Sequence, residues 1–208
     1  MDILYEDEYL LICQKPSGEV SQGGEDDMTA RASAYLGAAC YPVHRLDRGT
    51  GGILALAKTK EAAARMSALF RDRAAEKEYL AVVRGAPEAE EGEYRDLLFR
   101  DAAKNKSYVV KRMRKGVREA VLHYRTLSSA GGMTLVRVRL LTGRTHQIRV
   151  QFASRGMPLV GDRKYGGGPG GAIALWSCAL RFVHPFTGET VAVASDPPRA
   201  WPWSAFDD

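Results

Sequence analysis

Runs that read as β-strand come in adjacent pairs, and this pairing constrains the fold more than any other feature of the chain. Residues 119–127 and 133–141 are two such runs, joined by Ser128-Ser129-Ala130-Gly131-Gly132. In the second, Val136, Val138 and Leu140 alternate with Arg137 and Arg139, so a strand here buries one face and presents cations on the other. An antiparallel pair is the natural outcome. Another pair opens the chain, where Ile3-Leu4-Tyr5 and residues 9–13 flank the acidic turn Glu6-Asp7-Glu8. Paired strands without a regular strand and helix alternation predict an α+β fold, a mixed, largely antiparallel central β-sheet flanked by helices and loops.

Helices are few. Residues 28–37 read as a short one ending at Gly37, with Ala32, Tyr35 and Leu36 as its apolar side. Thr59 is placed to cap a second through about Arg73, in which Ala62, Met66, Leu69 and Phe70 recur at helical spacing and Glu61 can pair with Arg65. A strand over 76–84 then stops at Gly85-Ala86-Pro87. The acidic residues 88–93 read as a loop leading into a basic segment over 100–118, with a short strand at Tyr108-Val109-Val110. Thr145 is the candidate cap of a third helix over 145–155, closed by Gly156 and Pro158. The tail returns to strands near 172–183 and 190–194, and Trp201 and Trp203 are expected to pack on the body.

At 208 residues the chain fits a single domain over 1–208, long enough to bury a substantial core. Its first residues are acidic rather than a basic and apolar leader, and no apolar run approaches the ~20 residues of a membrane span. The expectation is a cytoplasmic protein with no membrane association, a monomer by default. Cys13, Cys40 and Cys178 are scattered, as are His44, His123, His146 and His184, which predicts buried thiols and no metal. Charge is segregated: residues 1–30 hold eight acids against one cation, Lys15, whereas residues 100–155 hold fourteen Lys and Arg against Asp101 and Glu119. Such segregation points to a polyanionic partner. No GxxxxGK[ST] spacing accompanies the glycines at 49–52, which disfavours nucleoside triphosphate chemistry.

The stretch of most chemical interest is His44-Arg45-Leu46-Asp47-Arg48-Gly49-Thr50-Gly51-Gly52, followed by the apolar run 53–57. Arg45 and Arg48 favour the ionised form of Asp47. A carboxylate at such a loop-to-strand junction can act as nucleophile or base, or it can be a solvated ion pair, the commoner case on spacing alone.

Several separated blocks decide between these. Residues 44–47 with Thr50, Gly52 and the strand ending at Ala57-Lys58-Thr59 resemble the active-site motif of the RluA-like branch of pseudouridine synthases. Residues 77–83 resemble its second block, Leu141-Thr142-Gly143-Arg144-Thr145-His146-Gln147-Ile148-Arg149-Val150 its third, Lys15-Pro16-Ser17-Gly18 its first, and Phe182-Val183-His184-Pro185 with Thr187-Gly188 its last. Gly161-Asp162 and Tyr165-Gly166 continue the match, which spans almost the whole chain in the right order and spacing.

The resemblance implies the pseudouridine synthase fold with a central RNA-binding cleft, and an isomerase that converts uridine to pseudouridine in structured ribosomal or transfer RNA without metal or cofactor. It implies Asp47 as the catalytic carboxylate, Tyr79 as the aromatic that stacks on the target base, and Arg149 as the cation that pairs with the carboxylate. Arg144 is the neighbour that could be confused with Arg149. Arg45 would fill the gap left by the extruded nucleotide, since neither carbon 5 nor C1′ can be worked on inside a base stack, and Ile148 would line the base pocket. His146 and Gln147 are expected to brace the turn. No separate N-terminal RNA-binding domain, as many relatives carry, is expected, because the first strand already belongs to the catalytic-domain pattern, and docking is expected to rest on the catalytic body. From charge, the phosphate contacts are assigned to Lys104, Lys106, Lys111, Arg112, Arg114 and Lys115.

The sequence departs from the family pattern at Gly49, where an acid is usual, at Gly51, where a serine is usual, at Gln151 in place of a histidine, and at Trp176-Ser177 in place of a His-Ala-like pair. Two other readings stand beside the isomerase. One is a non-catalytic RNA-binding protein on the same fold, against which the intact Asp47, Tyr79 and Arg149 argue. The other is an N-glycosidic hydrolase, which would need a second acid. Asp162 is a weak candidate for that acid and is better read as structural in its glycine turn.

Overall fold

The computed structural model describes residues 1–169 and 171–207. In chain order the elements are β1 (Asp2–Glu6), β2 (Leu10–Lys15), α1 (Met28–Leu36), β3 (Tyr41–Pro42), β4 (Gly51–Ala57), α2 (Lys60–Arg71), β5 (Glu76–Arg84), β6 (Glu91–Asp101), β7 (Lys106–Val110), β8 (Val117–Ala130), β9 (Met133–Leu140), α3 (Gln147–Ala153), β10 (Leu175–Val183) and β11 (Thr190–Ala194). Short 3-10 turns lie at Arg163–Tyr165 and Trp203–Phe206. The class is α+β with mostly antiparallel strand pairing. The chain falls into two compact units, one of residues 1–77 and 176–197, the other of residues 78–175 and those from 198 onward.

In the first unit β2 lies between β1 and β4, antiparallel to both, and β4 runs parallel to β10, which pairs with β11. All seven residues of β4 are buried. Ile53, Ala55 and Ala57 join Leu10, Ile12, Ala62, Met66, Leu180 and Phe182 in one apolar cluster, so the central strand reads as a continuous apolar run instead of an alternating one. Both helices here follow from their caps. Asp27 accepts from Ala30 N (2.8 Å) and α1 ends at Gly37 in the left-handed region. Thr59 accepts from Ala62 N (3.1 Å), and Glu61 pairs with Arg65 one turn on (2.6 Å).

The second unit is an antiparallel sheet in the order β5-β9-β8-β6-β7. The alternation of β9 works as expected: Val136 and Val138 are buried while Arg137 and Arg139 are exposed. Tyr79 lies opposite Val138, on the buried face. Tyr94, Tyr124 and Phe152 form a ring cluster with centroids 4.6–5.9 Å apart, which joins the sheet to α3.

Four expectations need correction. Residues 91–93, read as loop, begin the eleven-residue strand β6. Its alternation is hidden because the outward side chains are charges satisfied locally, Arg95 bonding Glu93 and, across the sheet, Glu119 (3.0 Å each). The third helix starts at Gln147, not Thr145, and Thr145 does not cap it. His146 takes the cap position with φ 54° and makes no side-chain cap bond. Instead Gln147 Oε1 accepts from Thr142 Oγ1 (2.7 Å) and Arg144 N (3.0 Å), and its Nε2 donates to Val121 O (3.1 Å), so one side chain closes the turn. Strand β10 starts at Leu175 rather than near 172. Trp203 packs beside Val82, Val160 and Ala174, whereas Trp201 is 57% exposed.

Candidate active site

The Asp47 turn is held on both sides by the segment that follows β2. Before it, Ser21 Oγ donates to Leu46 O (3.0 Å) and accepts from Leu46 N (3.1 Å). After it, the Arg48 carbonyl accepts from Gly18 N (2.8 Å) and Lys15 Nζ (3.3 Å), Arg48 Nε returns a bond to Gly18 O (2.9 Å), and Ser17 Oγ donates to Gly49 O (2.6 Å). Thr50 N closes the turn on Asp47 O (2.9 Å). The residues on each side of Asp47 are therefore fixed by hydrogen bonds from a different segment. Upstream, His44 Nε2 accepts from Ala55 N (2.9 Å) and its ring lies against Phe70 at 4.6 Å. Burial, aided by nearby Lys77, pulls its pKa down to about 3, so His44 is a neutral structural acceptor that ties the loop to β4. Arg45 and Arg48 are exposed.

Glycine answers two different needs where the turn enters β4. Gly52 has φ +104°, and a Cβ there would sit 2.2 Å from Ser177 O, so no side chain fits. At Gly51 the issue is space: a Cβ would lie 2.2 Å from Cζ3 and 2.5 Å from Cε3 of Trp176, its register partner on β10. Trp176 is 4% exposed, and its Nε1 donates to Ser195 O (3.0 Å). The two departures from the family pattern at 51 and 176 thus fill one volume together.

In the second unit, Tyr79 sits on β5 at 7% exposure, and Ile148 and Arg149 sit on α3 at 4% and 5%. Arg149 is gripped by Asp162, with Nε to Oδ2 at 2.6 Å and Nη2 to Oδ1 at 2.9 Å. Asp162 is fully buried. This two-pronged pair fixes the guanidinium plane, and the Tyr165 ring lies beneath it, 5.2 Å from Cζ. Tyr165 also ties α3 to β7: its hydroxyl donates to Ser107 O (3.1 Å), accepts from Ser107 N (2.8 Å) and contacts His146 Nδ1 (3.0 Å). Arg144 is set apart from Arg149, since its Nε donates to Glu119 O (2.9 Å).

The basic segment divides. Lys104 lies in the β6–β7 turn and Lys106 at the start of β7, its Nζ 5.0 Å from the Tyr165 ring centre. Lys111, Arg112, Arg114 and Lys115 lie in the exposed loop beyond the other end of β7. The five residues of β7 separate the groups by about 16 Å at strand rise. Among the described residues no group of three His, Cys, Asp or Glu side chains is placed to hold a metal ion.

Three residues of the site were not assigned from sequence as they now stand. Asp162 reads as structural from its glycine turn, but no local signal marks Arg149 as its partner. Ser21 gave no signal. Lys15 gave one, as the sole cation among the acids of residues 1–30, yet only the fold shows it to be fully buried.

Comparison with known proteins bears on the whole arrangement. A family model described as RNA pseudouridylate synthase matches residues 9–154. The chain is 33% identical over 96% of its length to the ribosomal large subunit pseudouridine synthase D of Zymomonas mobilis, covering 70% of that protein. It is 32% identical over 92% of its length to the ribosomal large subunit pseudouridine synthase C of Escherichia coli, covering 65%. The chain thus spans about two thirds of the length of these relatives. Human RNA pseudouridylate synthase domain containing 4 shares the fold, with a TM-score of 0.81 at 24% identity over 95% of this chain and 89% of that one. The chain belongs to the RNA pseudouridylate synthase family, in its RluA-like branch, and the reaction class of that family is isomerisation of uridine to pseudouridine in RNA.

Proposed function

We propose that this chain isomerises uridine in structured RNA with Asp47 as its catalytic carboxylate. The observation that carries the reading is the pinned turn: hydrogen bonds to Leu46 and Arg48 fix the backbone on both sides of Asp47, as precise placement of a nucleophile requires. In the reaction the bond from uracil N1 to ribose C1′ breaks and a bond from C5 to C1′ forms. The proton lost from C5 is matched by one gained at N1, so no atom enters or leaves. Asp47 either attacks the sugar or the base, forming a bond that breaks again to free the carboxylate before product leaves, or assists loss of the base without bonding to it.

Tyr79 stacks on the target base and helps take the C5 proton. Arg149, its plane set by Asp162, pairs with the catalytic carboxylate and aims it. Arg45, exposed on the Asp47 loop, enters the stack where the nucleotide has left it, and Ile148 lines the base pocket. The basic groups at the two ends of β7 contact phosphate. The chain then acts as a single catalytic domain with an RNA-binding cleft, without metal or cofactor, as a cytoplasmic monomer. No described helix is long and apolar enough to cross a membrane. The names of the two bacterial relatives favour ribosomal over transfer RNA.

The test uses ribosomal and transfer RNA from cells lacking the gene, tritiated at uracil C5, so that pseudouridine formation releases tritium to water. Wild-type protein is expected to release it and form pseudouridine, and Asp47→Asn to do neither. Release by Asp47→Asn at the wild-type rate would sink the carboxylate assignment. Free uracil as the product would instead mark a hydrolase.

A further inference from the structure

Lys15 is a fully buried lysine for which the proposed reaction gives no role. It ends β2, opposite Gly52 on β4. Its ammonium donates to Pro16 O (2.9 Å), Glu19 O (2.8 Å) and Arg48 O (3.3 Å). An ammonium has three N–H donors and no acceptor, so every proton has a carbonyl. Two of those carbonyls belong to the clamp segment and the third to the residue after Asp47. A neutral amine has only two donors, and its lone pair would face a carbonyl. Losing the proton would therefore release one bond and add a repulsion inside the clamp.

We propose that Lys15 is a positioning residue for the Asp47 turn and that the turn is held in its reactive geometry only while Lys15 is protonated. The inference rests on Asp47 being the catalytic carboxylate. The charged groups around the ammonium are the Glu19 carboxylate on the clamp segment, itself bonded to Arg31 of α1 (2.9 Å), together with Asp47 and Arg48 on the turn, the Arg48 guanidinium reaching Gly18 O. Burial lowers the pKa of Lys15 to about 8, while Glu19 and Asp47 act to raise it. Deprotonation thus falls within reach of ordinary assay conditions.

The test is the pH dependence of single-turnover tritium release by the full chain on the C5-tritiated ribosomal RNA above, with RNA affinity measured in parallel. For wild type we expect the rate to fall as pH rises through about 8, with affinity unchanged. The uracil imide also ionises in alkali, so the limb is assigned by Glu19→Gln, which removes a charge that favours protonated Lys15 and leaves the Glu19 carbonyl in place. That variant should move the limb to lower pH. Lys15→Met should lose the limb and slow release on the order of 100-fold, as a misplaced nucleophile does, without weakening RNA binding. A limb that stays in place in Glu19→Gln, or a folded Lys15→Met within about twofold of wild type, overturns the proposal. Should Lys15→Met fail to fold by circular dichroism, the Glu19→Gln comparison decides alone. Failure here with Asp47→Asn still inactive leaves the carboxylate assignment standing; an active Asp47→Asn removes that assignment itself.

Discussion

Gly51→Ala is a one-carbon change whose cost can be worked from the surroundings of Trp176. The new Cβ would lie 2.2 Å from Cζ3 and 2.5 Å from Cε3, whereas carbons rest at about 3.5–4.0 Å, so the ring must retreat by more than ~1 Å. It has little freedom to do so, being 4% exposed and bonded through Nε1 to Ser195 O. Overpacking of this kind costs about 1–3 kcal/mol, and losing the indole hydrogen bond would add about 1 kcal/mol. We expect Gly51→Ala to lower unfolding free energy in urea by about 2–4 kcal/mol. Because the turn before Gly51 carries Asp47, tritium release should fall as well. In a Trp176→Leu background the same substitution should cost less than about 1 kcal/mol, giving a coupling energy of at least ~1 kcal/mol in the double-mutant cycle. Equal costs of Gly51→Ala in both backgrounds would refute the claim that the two positions share one volume.

Removing one partner of the Arg149–Asp162 pair leaves a buried charge, so Asp162→Ala should destabilise by about 3–5 kcal/mol in urea, and adding Arg149→Met should recover much of that loss. His44 binds its proton only near pH 3 in the folded chain but near its ordinary 6.5 when unfolded. The unfolded state therefore holds more protons between these values, and stability present above pH 6.5 is lost as pH falls through that window. His44→Gln should flatten that part of the urea midpoint against pH, and an unchanged slope would contradict a neutral His44. Replacing Lys111, Arg112, Arg114 and Lys115 with glutamine should reduce the salt dependence of RNA binding by about 0.7–0.9 for each phosphate no longer neutralised. An unaltered slope would show that other cations hold the RNA backbone.

What could be read from sequence was whatever the local chain dictates. Thr59 and Gly37 mark helix ends because capping and left-handed geometry involve only neighbouring residues. The β8–β9 hairpin was legible from the alternation around Arg137 and Arg139. Strand β6 was not, because Arg95 satisfies its charge on Glu93 and Glu119, and a cross-strand partner is invisible along one segment. The sequence pattern starts the third helix two residues early because Gln147, through bonds to Thr142 and Val121, closes the turn that a Thr145 cap would otherwise close. Asp47 stood out as a candidate, but the groups that hold it, Lys15 and Ser21, lie 32 and 26 positions earlier. The puzzle of Gly51 could be resolved only with Trp176, more than a hundred residues on and beside it in register.

The three cysteines give the molecule a reporter that needs no engineering. Cys13, Cys40 and Cys178 are the only thiols in the chain, all three are buried, and all fall in the unit of residues 1–77 and 176–197. Burial pushes the Cys13 thiol up to about 12, so in the closed state it is both out of reach and unreactive. Pulsed alkylation therefore times the opening of that unit alone, while the other unit stays silent to the reagent. Combined with tritium release in the same tube, it tells a variant that has lost its chemistry from one that has lost the half of the molecule carrying Asp47.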